Sequence, residues 1–249
     1  MTEKSTIDPA EVARFAALAE KWWNPSGPLA PLHRLNPLRV IYLKDTICRK
    51  FGRDWKDTRA LAGLTVLDVG CGGGLVTEPL CRMGATVTGI DPAAESIAVA
   101  AHHAKEAGLA VEYRAVTIEA QAALPGRFDV VTLLEVVEHV TDMPAFVAAA
   151  ASLLKPGGLI IAATINRTLK AWLLAIVGAE YVLRWLPRGT HRYDKLVTPA
   201  ELTAALRAAG LSVIAETGVM YVPIADRWRL SRDMDVNYMM VAERQVGIN

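Results

Sequence analysis

A chain of 249 residues, 52% hydrophobic and 21% charged, is apolar enough for a substantial core and is read as a single domain, 1–249, with additions. Its net charge of +1 gives no reason to expect a nucleic-acid partner. Cys48, Cys71 and Cys81 are odd in number and lack CxxC spacing, which argues against a disulfide framework and a zinc site and fits a reducing cytoplasm.

The first residues carry Glu3, Lys4, Asp8 and Glu11 with no apolar core, so a secretory signal is not expected there. Asp8, Pro9 and Glu11 read as N-cap, first helical residue and capping-box partner. Phe15, Leu18, Ala19, Trp22 and Trp23 then form one apolar stripe before Asn24-Pro25 stops the helix. The two tryptophans belong either to a packed core or to a mobile helix over an active site. PLAPLHRLNP at 28–37 is too rich in proline for regular structure, and Asn36-Pro37 reads as the entry to a helix ending near Phe51. Arg39 falls in its first turn, where a cation is unfavourable with respect to the helix dipole. It is either kept for an anionic partner or simply solvated.

VLDVGCGGG at 66–74 organises the rest of the chain: a strand, a turn of glycines and a helix from Leu75. Such a turn leaves backbone N–H groups and a helix N-terminus open to a nucleotide-like cofactor. A dinucleotide fingerprint begun at Gly70 needs a third glycine at 75, where Leu75 stands, so the NAD reading loses its support. The pattern present is D-x-G-x-G-x-G, through Asp68, Gly70, Gly72 and Gly74. It resembles motif I of the class I S-adenosylmethionine (SAM) methyltransferases.

Strands are expected at 64–70, 85–91, 111–116, 128–134 and 159–165, with helices at 75–83, 93–107 and 143–154. This alternation implies a parallel sheet with helices on both faces and ligands at the carboxyl ends of its strands. Asp91, closing the second strand, can accept both hydroxyls of a ribose or cap the helix after Pro92, and the two roles are compatible. FDVVTLLEVVEH at 128–139 ends a strand in Glu135, Glu138 and His139. These three either hold a magnesium-like cation, take protons in acid/base chemistry, or are surface charges at a polar strand end. Later come a capped helix, TPAELTAALRAAG at 198–210, and strands at 211–216 and 236–242.

About thirty residues between Ile165 and Thr198 exceed what a compact connection requires. AWLLAIVGAEYVLRWL at 171–186 is broken by Glu180 and Arg184 and falls short of the ~20 apolar residues a spanning helix needs. Trp172, Tyr181 and Trp185, fringed by Arg167, Lys170, Arg188, His191 and Arg192, suit either a helix lying in the headgroups of an anionic membrane or a lid packed on the domain.

Taken together, RFAALAEKWWNPSGPLAPLHRLNPLR at 14–39, VLDVGCGGG, TVTGID at 86–91, LLEVVEHV at 133–140, KPGG at 155–158, INRT at 165–168, VGAEYVLRWLPRGTH at 177–191 and DVNYM at 235–239 resemble the ubiquinone-biosynthesis O-methyltransferases over nearly the whole chain. The resemblance implies a Rossmann-like α/β fold with a mostly parallel seven-stranded sheet whose last strand runs antiparallel. It divides the domain into an N-terminal helical cap (1–60), a SAM-binding core (64–165), a lid or membrane-contacting insertion (166–197) and a C-terminal part of the sheet (198–249). It implies a SAM site lined by Arg39, Gly70, Asp91 and Leu134, beside Asp68 and Gly72 of motif I. Leu134 stands where family members often have methionine. Glu135, Glu138 and His139 match positions that are associated with a magnesium ion in eukaryotic relatives, and His139 is the alternative general base.

The implied reaction is methylation of phenolic hydroxyls on polyprenylated catechols, of the 2-polyprenyl-6-hydroxyphenol and 3-demethylubiquinol types. The implied partners are anionic membrane lipids, through 167–192, and other enzymes of ubiquinone biosynthesis. The implied location is cytoplasmic, peripheral to the inner membrane. Two competing readings are a SAM methyltransferase of another lipophilic or aromatic hydroxyl compound, and a SAM-binding, membrane-associated assembly component with little turnover.

Overall fold

The computed structural model describes residues 5–173, 193–222 and 227–246. Strands β1 (Thr65–Val69), β2 (Thr86–Ile90), β3 (Glu112–Arg114), β4 (Phe128–Leu134), β5 (Leu154–Ile165), β6 (Leu211–Val222), β7 (Arg227–Ser231) and β8 (Asn237–Arg244) form one sheet in the order β3-β2-β1-β4-β5-β8-β6-β7. The first five pair in parallel, and β8 runs antiparallel between β5 and β6. Because the strand order reverses between β1 and β4, their carboxyl ends open into a common crevice, where such sheets bind ligands.

Alternation along each strand splits the apolar residues between two cores. Leu67, Val69, Val131, Leu133 and Ile160 pack on α6 (Met143–Ser152) and α8 (Pro199–Ala208), through Phe146, Val147, Leu202 and Leu206. Val66, Val130, Leu159 and Ile161 meet α2 (Ala30–Phe51) and α3 (Thr77–Arg82), through Leu35, Leu43, Ile47 and Leu80. Helix α4 (Ala94–Glu106) follows β2, and α5 (Ile118–Ala122), not foreseen from sequence, follows β3. A one-turn α7 (Leu169–Ala171) opens the insertion.

The sheet has eight strands where seven are expected. The additional one, β7, pairs antiparallel with β6 from Gly218↔Ser231 to Val222↔Arg227. Its Arg227 and Arg229 suit a sheet edge exposed to water and hide the strand in the sequence pattern. Strand β6 correspondingly runs beyond the expected end at 216.

The N-terminal region also departs from expectation. Helix α1 (Pro9–Ala16) is short, and the stripe continues through a separate 3-10 turn, Ala19–Lys21. Proline did not keep 28–37 irregular: α2 starts at Ala30 and passes straight through Pro37. Pro31 sits in the first turn, where its missing N–H is harmless. The lost backbone bond at Pro37 costs about 3 kcal/mol, offset by the burial of Leu35, Leu43 and Ile47 on one face. Arg39 therefore lies well inside the helix, and the dipole argument for it does not apply. Asn36 is not a cap; its Nδ2 donates to the Leu75 carbonyl at 2.7 Å, tying α2 to the glycine turn.

Most of the insertion, including Tyr181, Trp185, Arg188, His191 and Arg192, lies outside the described residues. At its near end Leu169, Trp172 and Leu173 are exposed. Arg167 and Lys170 are held in ion pairs, with Glu201 and with Asp233 and Asp235, so this part of the basic fringe is engaged locally. Among the described residues no helix is long and apolar enough to cross a membrane.

Candidate active site

A cavity of about 250 Å³ opens at the carboxyl ends of β1, β2 and β4 and is roofed by the N-terminal segment. Of the residues singled out in the sequence, Arg39, Asp68, Gly70, Asp91, Leu134, Glu135 and His139 line it. Gly72 and Glu138 do not.

The cofactor end is built on two buried carboxylates. Asp68 accepts hydrogen bonds from Thr77 Oγ1 (2.6 Å) and Thr132 Oγ1 (2.7 Å), which fasten β1 to α3 and β4. Burial pushes its carboxyl above the ordinary value, and the two hydroxyls oppose the shift. Asp91 accepts from Gly72 N (3.0 Å) and Ala93 N (2.8 Å), so it stitches the glycine turn to the start of α4. Burial raises its pKa too. A carboxylate offers about four acceptor sites, so Asp91 keeps capacity for hydroxyl donors while capping.

The glycine turn is arranged differently from a bare cradle. Gly72 adopts φ +52°, and a Cβ there would stand 2.3 Å from the Trp22 indole; at Gly73 it would stand 2.4 Å from Trp22 Cβ. Trp22 therefore spans both glycines. Its Nε1 donates to Ser96 Oγ at 3.3 Å and Trp23 Nε1 to the Gly73 carbonyl at 3.0 Å, while the Trp23 ring stacks on His103. The tryptophans are packed residues, and Trp22 also lines the cavity. Gly72 faces a side chain of the N-terminal segment, whereas Gly70 reaches the cavity wall.

At the other end, Glu135 is the only non-glycine residue with positive φ, +53°, among those described. Such a backbone is strained and is held by its surroundings. Here the holds are Glu135 N–H donating to the Ala163 carbonyl at 2.8 Å and an ion pair with buried Arg39. Glu138 turns away behind the wall: Oε2 accepts from Thr164 Oγ1 at 2.8 Å, and Oε1 is buried without a hydrogen-bond partner. Burial, and then the Glu135 charge, raise its pKa. His139 Nδ1 lies 3.1 Å from Glu11 Oε2, with Phe15 edge-on to the ring.

The magnesium expectation is corrected by this geometry. Glu135 is directed to Arg39, Glu138 to Thr164 and His139 to Glu11, so the three donors do not converge. Among the described residues no group of three or more His, Cys, Asp or Glu side chains could hold a metal ion. The donor set as arranged does not fit the ion.

Sequence reasoning did not assign Glu11, Phe15, Thr6 and Glu119 to the site. Glu11 reads as a capping-box partner, yet Asp8 caps through Ala10 N, and the Glu11 carboxylate lies against His139, Arg14 and Lys195. Thr6 N and Oγ1 both donate to Glu119 Oε1, and Thr6 O accepts from Thr141 N, which laces the chain start across the cavity. The spacing of Asp8, Glu11 and Phe15 along one short helix was the available signal.

Residues 41–216 match a family model described as a methyltransferase domain. The ubiquinone biosynthesis O-methyltransferase of Methylobacterium nodulans is 58% identical over 246 residues, covering 99% of this chain and 99% of that protein. The protein of the same name from Rhizobium rhizogenes is 56% identical, covering 97% of each. Among solved structures, magnesium protoporphyrin IX methyltransferase from Synechocystis PCC 6803 with bound SAM superposes with a TM-score of 0.63 at 18% identity, covering 97% of this chain and 100% of that one. At that identity the likeness concerns the fold.

The Trp22 contact makes a specific demand on the turn. Gly72→Ala adds a methyl group inside the indole and forces a positive φ on an L-residue, so SAM affinity measured by calorimetry is expected to fall by at least about tenfold, the equivalent of about 1.4 kcal/mol. Wild-type affinity in that variant would contradict the packing described.

Proposed function

Since the chain belongs to the ubiquinone biosynthesis O-methyltransferase family, we propose that it transfers the methyl group of SAM to phenolic hydroxyls of polyprenylated catechols. The carrying observation is that one cavity is lined by Asp91, Gly70 and Arg39 and also by a histidine that lies beside a carboxylate. The buried Asp91 carboxylate suits ribose hydroxyls, and the buried Arg39 guanidinium, with five donors, suits a carboxylate in addition to Glu135. The residues therefore fit SAM. Leu134 and Val69 give the cavity part of its apolar wall.

When bound, SAM supplies an electrophilic methyl carbon, whose bond to sulfur breaks with its electron pair as the bond to the phenolic oxygen forms. The chain holds the acceptor oxygen in line with that carbon, and this positioning supplies much of the acceleration. His139 takes the phenolic proton. Its Nδ1 lies 3.1 Å from Glu11 Oε2 in an ion-pair contact, so Nε2 is the nitrogen given the role of taking the proton. Glu138 and Glu135 shape the turn that presents His139: Glu138 anchors it to Thr164, and Glu135 anchors it to Arg39.

The same reading takes 1–249 as one methyltransferase domain, in which 1–60 caps the 64–165 core and 198–249 completes the sheet. On this reading 166–197 is a lid or membrane-contacting insertion whose residues 167–192 bind anionic lipids, with the lipophilic tail presented on the cytoplasmic side. Exposed Leu169, Trp172 and Leu173 support this at the near end of the insertion.

Purified protein with labelled SAM is expected to methylate a polyprenyl catechol in preference to its short-chain analogue. His139→Ala is expected to lower kcat by about 10²-fold or more, with SAM affinity retained. SAM binding with no transfer to any catechol would overturn the reading. The membrane part is checked separately: the protein should float with anionic liposomes at low salt, less so after Trp172→Ala and Trp185→Ala. Failure of the wild type to float would remove it.

A further inference from the structure

The N-terminal helix carries a carboxylate that the SAM site does not use. Glu11 lines the cavity beside His139, its Oε2 3.1 Å from His139 Nδ1. Three cations surround it: Arg14 Nη2 at 2.5 Å from Oε2, Lys195 Nζ at 3.8 Å from Oε1, and the imidazole itself when protonated. Lys195 is in turn fixed at 2.6 Å by Asp8, one helical turn before Glu11. Phe15, one turn after Glu11, closes on the imidazole with ring centroids 5.2 Å apart and an interplanar angle of 76°. One short helix thus supplies both the charge and the wall that define the orientation of the histidine.

We propose that Glu11 is the positioning residue for His139, holding the ring by its charge and stabilising the imidazolium that forms when the phenolic proton is taken up. This rests on His139 being the base. Its physical basis is electrostatic: a carboxylate 3.1 Å from Nδ1 offsets the positive charge that develops on the ring. The His139 contact also holds the Glu11 carboxyl below its ordinary pKa, against the desolvation that would raise it. The proton balance is simple. Phenol loses H⁺ to Nε2, the oxygen gains the methyl group, and the imidazolium, paired with Glu11, returns H⁺ to water after product leaves. A consequence for the fold is that catalysis requires the N-terminal helix in place, although that helix lies outside the sheet.

The test is steady-state and binding measurement on the full chain with SAM and a polyprenyl catechol. Glu11→Ala is expected to lower kcat by about 10- to 100-fold, with the SAM dissociation constant and KM changed by less than about twofold. Glu11→Gln, which keeps the size and removes the charge, is expected to show the same selective loss of kcat. Combining Glu11→Ala with His139→Ala is expected to cost no more than His139→Ala alone, because both act through one group. If Glu11→Ala does not fold, Glu11→Asp, which withdraws the charge by one methylene, is expected to show the same selective loss of kcat. An additive double variant, or a loss confined to KM or SAM affinity, would overturn the proposal in favour of a role in helix anchoring. Wild-type kcat in Glu11→Ala or Glu11→Asp beside an impaired His139→Ala would remove Glu11 alone; wild-type kcat in His139→Ala would remove the base and the proposal with it.

Discussion

The contact on which the rest of the site depends is that of Trp22 with Gly72 and Gly73. No other residue type at 72 or 73 leaves room for Trp22, and no small side chain at 22 would fill the space. The contact joins two distant stretches of sequence: the glycine turn at the end of β1, whose amides at 70, 71, 72 and 74 bond within the protein, and the N-terminal segment that roofs the cavity. Leu29 and Leu75 complete the same apolar cluster, with Phe15, Leu18 and Trp23 around it. Burying a side chain of this size is worth about 1.5–3 kcal/mol or more, enough to hold a short α1 that would be marginal on its own.

Around that contact the cavity concentrates charge that is almost all accounted for. Asp68 and Asp91 spend their oxygens on Thr77, Thr132 and two backbone amides, and Arg39 is neutralised by Glu135. Breaking a buried ion pair by removing one partner typically costs about 3–5 kcal/mol, so the Arg39–Glu135 pair ties α2 firmly to the end of β4. The positive φ of Glu135 is the local cost of that tie and of the tight turn that swings Glu138 inward and His139 toward the cavity. Strain here sits where the proposed chemistry is, in keeping with its usual location.

Much of the core was legible from sequence because its signals are local. The β-α alternation with the parallel sheet it implies, the N-caps at Thr198 and Asp8 and the glycine turn rest on spacing along the chain, and the antiparallel last strand followed from the family resemblance. What was not legible depends on contacts between elements. Prolines at 28, 31 and 37 suggested an irregular 28–37 with a helix entered only at Asn36-Pro37, and only burial of its sheet-facing residues shows why α2 already runs from Ala30. Edge strand β7 was hidden by its arginines. Proximity in sequence grouped Glu135, Glu138 and His139, but a strained residue and a 3-10 turn send their side chains three ways. Glu11, far from them in sequence, is the carboxylate that reaches the histidine.

Through Trp22 the N-terminal segment and the cofactor turn form one structural unit, and every role given to the N-terminal helix depends on that union. Hydrogen–deuterium exchange on the full chain, with and without S-adenosylhomocysteine, tests it most directly. Protection is expected to rise together in peptides covering 9–23 and 70–74 when the cofactor product binds. Protection confined to 70–74, with 9–23 exchanging as in the free protein, would contradict it.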